Sequence, residues 1–424
     1  MMAASSKRWC KVLELAGEIL MNEKNASHAT IIADPQFMRP LGLADEAAVA
    51  ELFEACFSSK TDSQWYAWKY LSNKTYDGLA IGMWHEAGLI GHYAGFPREL
   101  VCGSTRFAAL QIGDVMIHPK ARHGLAKANR FAKLTRAYLA THLRAAAPQR
   151  LRPFADAPRA DEVLKADEVH RADEVHKADE VRRAKDHQAA LKLLPQQPVD
   201  SPRFDIAYGF PNARHMRQCV LQACYRAADA MFELYWSLDR FTPTYDGDAS
   251  PIGISSLSGA TEWALGDWDS DRFDAIAKQM LEALADKGHW AVPRSLAYWR
   301  WRFPLERGYR WVLMREGATG PLVAAAVLKR MSDDGLACEL LDWLCAPIMK
   351  TQAFAALLWQ LRSEKLGYLR SWCSEASASY FVDCPADRIE KLGFHIALSV
   401  YPEAHTADCL GGGLWMLSGD TDFR

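Results

Sequence analysis

Apolar positions along the chain follow two alternating periods, and their order predicts a mixed α/β protein. Val49, Leu52, Phe53, Cys56 and Phe57 keep the helical period, with Asp45 placed to cap the helix. A short strand ending at Arg39-Pro40-Leu41 precedes it, and a second helical piece carries Trp65, Trp68 and Tyr70. Strands over 79–84 and 89–94 read as a hairpin turning at Glu86-Ala87-Gly88, and 99–101 as a third short strand before Gly103-Ser104. A longer strand over 110–117 is closed by His118-Pro119, and a helix runs from near Gly124 to about Arg144. Beyond residue 203 come a strand over 204–210 broken by Pro211-Asn212, a helix over 213–227 and a strand over 230–236.

Between these blocks, residues 160–183 form a tandem hexapeptide with valines at 163, 169, 175 and 181. Six residues turn a helix through about 240° beyond a full turn, so the valines never share a face and no coiled-coil seam results. Each Asp precedes a Lys or Arg by four residues, as Asp161 does Lys165, which suits a solvated helix or a disordered insert. The expected organisation is a polar lead-in over 1–30 with a helix at 7–21, and a first domain over 31–236 interrupted by an insert at about 146–202. A linker over 237–262 and a second domain over 263–424 complete it. The second half echoes the first. A helix over 271–285 matches the one after Asp45, and Trp301-Arg302-Phe303 echoes Trp68-Lys69-Tyr70. A hairpin turning over 317–320 follows, and the run Asp342 to Pro347 echoes Asp114 to Pro119. Order and spacing are kept, which predicts an internal duplication.

Composition narrows the function. Fifty basic against fifty-two acidic residues leave a net charge of −2, which argues against a general nucleic-acid binder or a polybasic membrane anchor. No apolar run is long enough to span a bilayer, and the N-terminal stretch lacks the features of a signal peptide. The ten cysteines form no CxxC pair and no zinc-ligand spacing. They read as buried thiols of a reducing cytoplasm, with no metal expected. The fifteen tryptophans fill cores first and line clefts second.

The segment 111–131 carries the most chemistry. A strand ends in His-Pro, a basic loop with Lys120, Arg122 and Gly124 follows, and then a helix starts. Backbone N–H groups at such a loop form an anion site, although the same pattern also serves as a plain strand–turn–helix. The order of strand, helix, hairpin, strand, D-V-M-I-H-P-x-x-R-x-G-x-A, helix, strand, Y-G-F-P-N and helix resembles the GCN5-related N-acetyltransferase (GNAT) superfamily. The fit covers about 31–236 without the insert, and 263–424 resembles a second, degenerate copy. The family's Q/R-x-x-G-x-G/A loop is matched at Gly124 and Ala126, while Ala121 holds its first position unless Arg122 takes that place.

This resemblance implies two tandem GNAT-like domains, each a mostly antiparallel mixed sheet with a splayed strand pair and flanking helices. It implies an acyl-CoA-dependent N-acyltransferase that moves an acyl group from acetyl-CoA, or another acyl-CoA, to an amine. The acceptor would be a small molecule, an amino sugar or a peptide. The pyrophosphate would rest on Arg122, His123, Gly124, Leu125 and Ala126. The pantetheine arm would pair with Met116 and Ile117, and Asn212 would also border the site. Asp114 or His118, on one strand face by period 2, would serve as general base, with Asp114 the first choice. Either could equally bind substrate or be structural, and His92 is a further candidate. The family's tyrosine general acid falls on Cys219, with Tyr225 facing elsewhere on a continuous helix. The second copy has Ile348 to Ala353 in place of the loop, without glycine, and is expected to bind no coenzyme A while covering the first domain. Glu390 to Phe394 fits the family's helix ending, and Gly411 to Gly413 reads as a turn before a strand. Trp65, Trp68, Tyr70, Trp299 and Trp301 would either pack the core or border the acceptor site. Two other readings remain open: a non-catalytic acyl-CoA-binding or interaction module, and a tandem transferase using aminoacyl-tRNA. The latter lacks the basic surface it would need.

Overall fold

The computed structural model describes residues 37–61, 65–71, 79–86, 88–122, 129–143, 204–221, 225–241, 252–258, 267–317, 319–331, 335–399, 410 and 413–421. The polar lead-in, the hexapeptide run and residues 123–128 lie outside them.

The first half opens with β1 (Phe37–Pro40) and α1 (Glu46–Phe57). Asp45 does not cap α1 with its side chain; its carboxylate instead accepts from the Gly42 N–H at 3.0 Å and from Arg39 at 2.6 Å. A π-helical turn, Ala67–Leu71, leads to β2 (Ala80–His85), β3 (Gly88–Cys102) and β4 (Thr105–Ile117). The expected short strand at 99–101 is the end of the long β3. Pro97 is tolerated there because β2 reaches only as far as Ala94, so the missing N–H faces no partner strand. Next come α2 (Arg130–His142), β5 (Ile206–Gly209), α3 (Ala213–Leu221) and β6 (Tyr225–Ser237). Among the described residues α2 starts at Arg130, capped by Asn129 through its side chain to the Ala132 N–H; the start expected near Gly124 lies outside them. The helix expected to reach residue 227 ends at Leu221, and Tyr225 already belongs to a strand.

The second half repeats this order. It runs β7 (Ile252–Ser258), α4 (Asp267–Ala285), β8 (Trp290–Ala291), α5 (Leu296–Arg302), β9 (Arg310–Glu316) and β10 (Leu322–Arg330). Then follow β11 (Ala337–Cys345), α6 (Lys350–Ser363), β12 (Tyr368–Ser374), α7 (Glu375–Tyr380), β13 (Arg388–Ser399) and β14 (Leu414–Trp415).

One mixed sheet runs through both halves in the order β1-β2-β3-β4-β5-β13-β6-β12-β11-β10-β9-β7. The two halves trade strands at its centre. β6 of the first half pairs with β12 of the second, and β13 of the second pairs with β5 of the first. β6 and β13 also pair with each other. This exchange explains the correction at Glu390 to Phe394, which is strand and not a helix ending. The gap between β5 and β6 has to be filled by a strand, and tertiary pairing overrides local propensity.

The parallel pairs β4–β5 and β11–β12 are short. β4 and β5 stay paired from Ala109↔Ile206 to Ile112↔Gly209 and then part. β11 and β12 stay paired from Ala337↔Tyr368 to Glu339↔Arg370. The second opening is filled by the chain itself. Leu417 bridges to Cys373, the Ser374 N–H donates to Met416 O at 3.0 Å, and the Trp372 N–H donates to Ser418 Oγ at 2.7 Å. A Cβ at Gly419 would stand 2.7 Å from Leu341 O, so only glycine fits that close approach. The tryptophans mainly build cores: Trp236, Trp299, Trp311, Trp343 and Trp415 are fully buried. Among the described residues no helix is long and apolar enough to cross a membrane, and no cluster of His, Cys, Asp and Glu could hold a metal.

Candidate active site

The opening between β4 and β5 leads into a cavity of about 490 Å³. Ile112, Gly113, Asp114 and Val115 form one wall, and Gly209, Phe210, Pro211 and Asn212 the other. Cys219, Tyr225, Tyr93 and Ala397 also line it, as do Phe53, Trp65, Trp68 and Lys69 beside Arg302. Ala397 and Arg302 come from the second half, so the cavity is complete only when both halves are present.

A bulge shapes the β4 wall. Tyr93 of β3 stands opposite two residues of β4, because His92 pairs with Met116 and Ala94 with Gly113. Asp114 adopts φ +47°, a left-handed conformation uncommon outside glycine, Asn and Asp. Its carbonyl is fixed by His92 Nδ1 at 2.7 Å. Its carboxylate Oδ2 accepts from the Tyr70 hydroxyl at 2.5 Å and lies 2.6 Å from Lys69 Nζ. Burial alone would raise the Asp114 pKa, but the Lys69 charge and the hydrogen bonds from Lys69 and Tyr70 outweigh it and hold the carboxyl below the usual range. Asp114 is therefore a weak base in this setting. His92 is fully buried and pushed down by burial, so it is neutral near pH 7.

His118 lies past the end of β4, where its Nδ1 accepts from the Lys120 N–H at 3.2 Å in the turn Pro119–Ala121. It is not part of the cavity wall. Met116 is buried beside Tyr70 and Phe96. The His118 N–H donates to Ile90 O, so antiparallel alternation turns the main-chain groups of Met116 toward β3 and those of Ile117 away from it. The Ile117 carbonyl accepts from Arg122 Nε at 2.9 Å and from Cys56 Sγ at 3.4 Å. Arg122 is exposed at the edge of the described residues, and His123, Gly124, Leu125 and Ala126 lie outside them. Asn212 caps α3, accepting from the His215 N–H at 3.0 Å, while also bordering the cavity. Cys219 is a buried thiol on the cavity wall.

The structure thus brings Asp114, Asn212 and Cys219 to one cavity and leaves His118 outside it. Reading the sequence missed Tyr225, whose hydroxyl is 2.8 Å from that of Tyr93. The error was to extend the helix past Leu221. Lys69 and Arg302 were noticed only as repeat echoes, although a cation between two aromatics is itself a signal. Trp299 is core, while Trp68 reaches across the two halves and donates from Nε1 to Trp301 O at 3.2 Å.

Residues 38–143 match the family model for the acetyltransferase (GNAT) domain. This segment is similar to the GNAT domain. The fold of the whole chain agrees with it. A GCN5-related N-acetyltransferase from Anabaena variabilis ATCC 29413 superimposes with a TM-score of 0.51 at 12% identity, over 85% of this chain and 71% of that one. A conserved protein of unknown function from Enterococcus faecalis V583, described as a probable N-acyltransferase, gives the same values. At this identity the likeness is one of fold. No curated protein matches the sequence. The matched segment spans β1 to β4, α2 and the bulge at Asp114, so it includes the β4 wall of the cavity.

Proposed function

We propose that the chain is an acyl-CoA-dependent N-acyltransferase with one working site, the cavity at the β4–β5 opening. The observation that carries this reading is the parting of β4 from β5 after Ile112 and Gly209, directly over the cavity. An extended pantetheine arm needs main-chain partners, and the Ile117 N–H faces away from β3, while its carbonyl is held by Arg122 and Cys56. The thioester would sit near the bulge, with the donor's phosphates toward Arg122 and the residues after it.

Asp114 and Tyr70 would orient the acceptor amine. Because Lys69 keeps the Asp114 carboxyl weakly basic, the amine attacks in its neutral form and loses its proton to water after attack. The new C–N bond forms as the C–S bond breaks, and the departing thiolate takes a proton. Tyr225, supported by Tyr93, and Cys219 are the candidate proton donors. The second half would bind no acyl-CoA, since its own residues 416–419 occupy the β11–β12 opening.

The test is calorimetry with acetyl-CoA and with a medium-chain acyl-CoA, paired with thiol release in the presence of an amine panel. One donor site per chain, weakened by Val115→Trp, supports the reading. Failure of both donors to bind would overturn it.

A further inference from the structure

Arg302 ends α5 in the second half yet borders the cavity beside Trp68 and Lys69. It is only 7% exposed. Its Nε donates to Gly419 O at 3.1 Å and its Nη2 to Thr421 O at 2.9 Å. Both acceptors are neutral, and among the described residues no carboxylate lies within ion-pair distance of it. The charges around it do not cancel. Arg294 is matched by Asp342 and Asp420, and Lys69 by Asp114. Arg98 is also buried, and it donates only to Gln111 Oε1 at 3.0 Å and to Pro97 O at 2.8 Å. Four buried cations thus face three carboxylates. A buried charge without a counter-charge is costly, so a guanidinium on a cavity wall that meets no carboxylate among the described residues points to an anion supplied by a ligand.

We propose that the acceptor amine also carries a carboxylate, and that Arg302 binds it. The proposal rests on the acyltransferase reading and names the substrate class of the same site. A planar guanidinium whose Nη1 takes no part in those two bonds suits a carboxylate better than a lysine would. Trp65 and Trp68 flank an apolar stretch of the cavity for the body of the molecule, and Asp114, held from behind by Tyr70, marks the amine end. An amino acid or a close derivative fits this arrangement, and a polycationic amino sugar does not. The donor's phosphates are assigned to the Arg122 end of β4, whereas Arg302 enters beside Trp68 and Lys69.

The experiment compares matched acceptors in the full-length protein, with kcat/KM expressed per unprotonated amine: leucine with leucinamide, phenylalanine with phenylalaninamide, and 4-aminobutyrate with its amide. Thiol release from acyl-CoA is the readout. A hydrogen bond to a charged group contributes about 1.5–3 kcal/mol, so kcat/KM should favour the acids by at least about tenfold. Arg302→Gln should bring that ratio to near one through the acceptor KM, with the acyl-CoA KM unchanged. Because Arg302 also holds residues 419–421, Arg302→Lys is the second variant, and it should keep part of the preference. Equal use of acids and amides by the wild type would overturn the proposal while leaving the acyltransferase reading intact. A raised acyl-CoA KM in Arg302→Gln with the acid preference kept would overturn it in favour of a donor phosphate. Loss of donor binding in the wild type would overturn both.

Discussion

Replacing Lys69 by Met tests the electrostatics of the site. The ammonium lies 2.6 Å from Asp114 Oδ2, and the two side chains are 11% and 8% exposed. At an effective dielectric of about 20, that separation corresponds to a gross attraction of about 6 kcal/mol. Part of this is offset by the desolvation of Lys69, which the variant no longer bears, leaving a net loss of about 3 kcal/mol. In the wild type Asp114 titrates below its unfolded value. Its contribution is therefore present above the unfolded carboxylate range and fades only as pH falls toward the folded pKa. In Lys69→Met, burial acts with only the Tyr70 bond and the weaker His92 contribution against it, and the folded pKa moves above the unfolded one. The penalty is then full at pH 8 and shrinks as pH falls and the carboxyl takes up a proton. Thermal melts of both proteins at pH 8 and pH 5 measure this. The expected gap in Tm is about 5 °C at pH 8 and clearly smaller at pH 5. The double variant Lys69→Met with Asp114→Asn should recover most of the loss, since Asn also tolerates the left-handed backbone. A gap that is absent, equal at both pH values or larger at pH 5 would refute the reasoning.

Further outcomes are expected elsewhere. Tyr225→Phe should lower kcat about 100-fold without changing the acyl-CoA KM, and a thioester with a more acidic thiol should restore the rate, since its leaving group needs no proton. If Tyr225 is not the donor, that thioester will show no selective rescue. The rate should rise with pH along the acceptor amine's own titration, and an inflection that moves with Asp114→Glu would argue instead for a carboxylate base. Asp229, buried and accepting from the Leu414 N–H, is raised to about 6, mainly by burial. Its stabilising protonation is complete below the unfolded value near pH 4 and lost as pH rises through 6, so Asp229→Asn should raise stability by about 2–3 kcal/mol at pH 8 and by little at pH 4. The strand exchange predicts one unfolding transition in calorimetry, and two separated transitions would contradict it.

Much of the fold was legible because it is local. The hairpin at Glu86 to Gly88, the long strand ending at His118-Pro119 and the helix after Asp45 follow from period and turn chemistry alone. The repeat of Trp68-Lys69-Tyr70 at Trp301-Arg302-Phe303 pointed to a duplication, and the motif around Asp114 pointed to a GNAT-like first half, which the family match over 38–143 supports. The candidate site was legible only in part. Asp114, Asn212 and Cys219 were found from motif order. Tyr225 was set aside because a helix was extended past Leu221, and no local signal marks where β6 takes over.

The sequence by itself determined the alternation of elements, the strand that carries Asp114 and the echo of first-half motifs in the second half. These depend on spacing within a segment, which a linear pattern records. Only the tertiary structure decided that β6 and β13 change places, that residues 416–419 fill the second opening and that Arg302 reaches the first cavity. It also decided that Asp114 is held ionised by Lys69. Each of these is a contact between residues far apart in the chain, chosen by which surfaces and charges must be buried together, and no periodicity along the sequence encodes that choice.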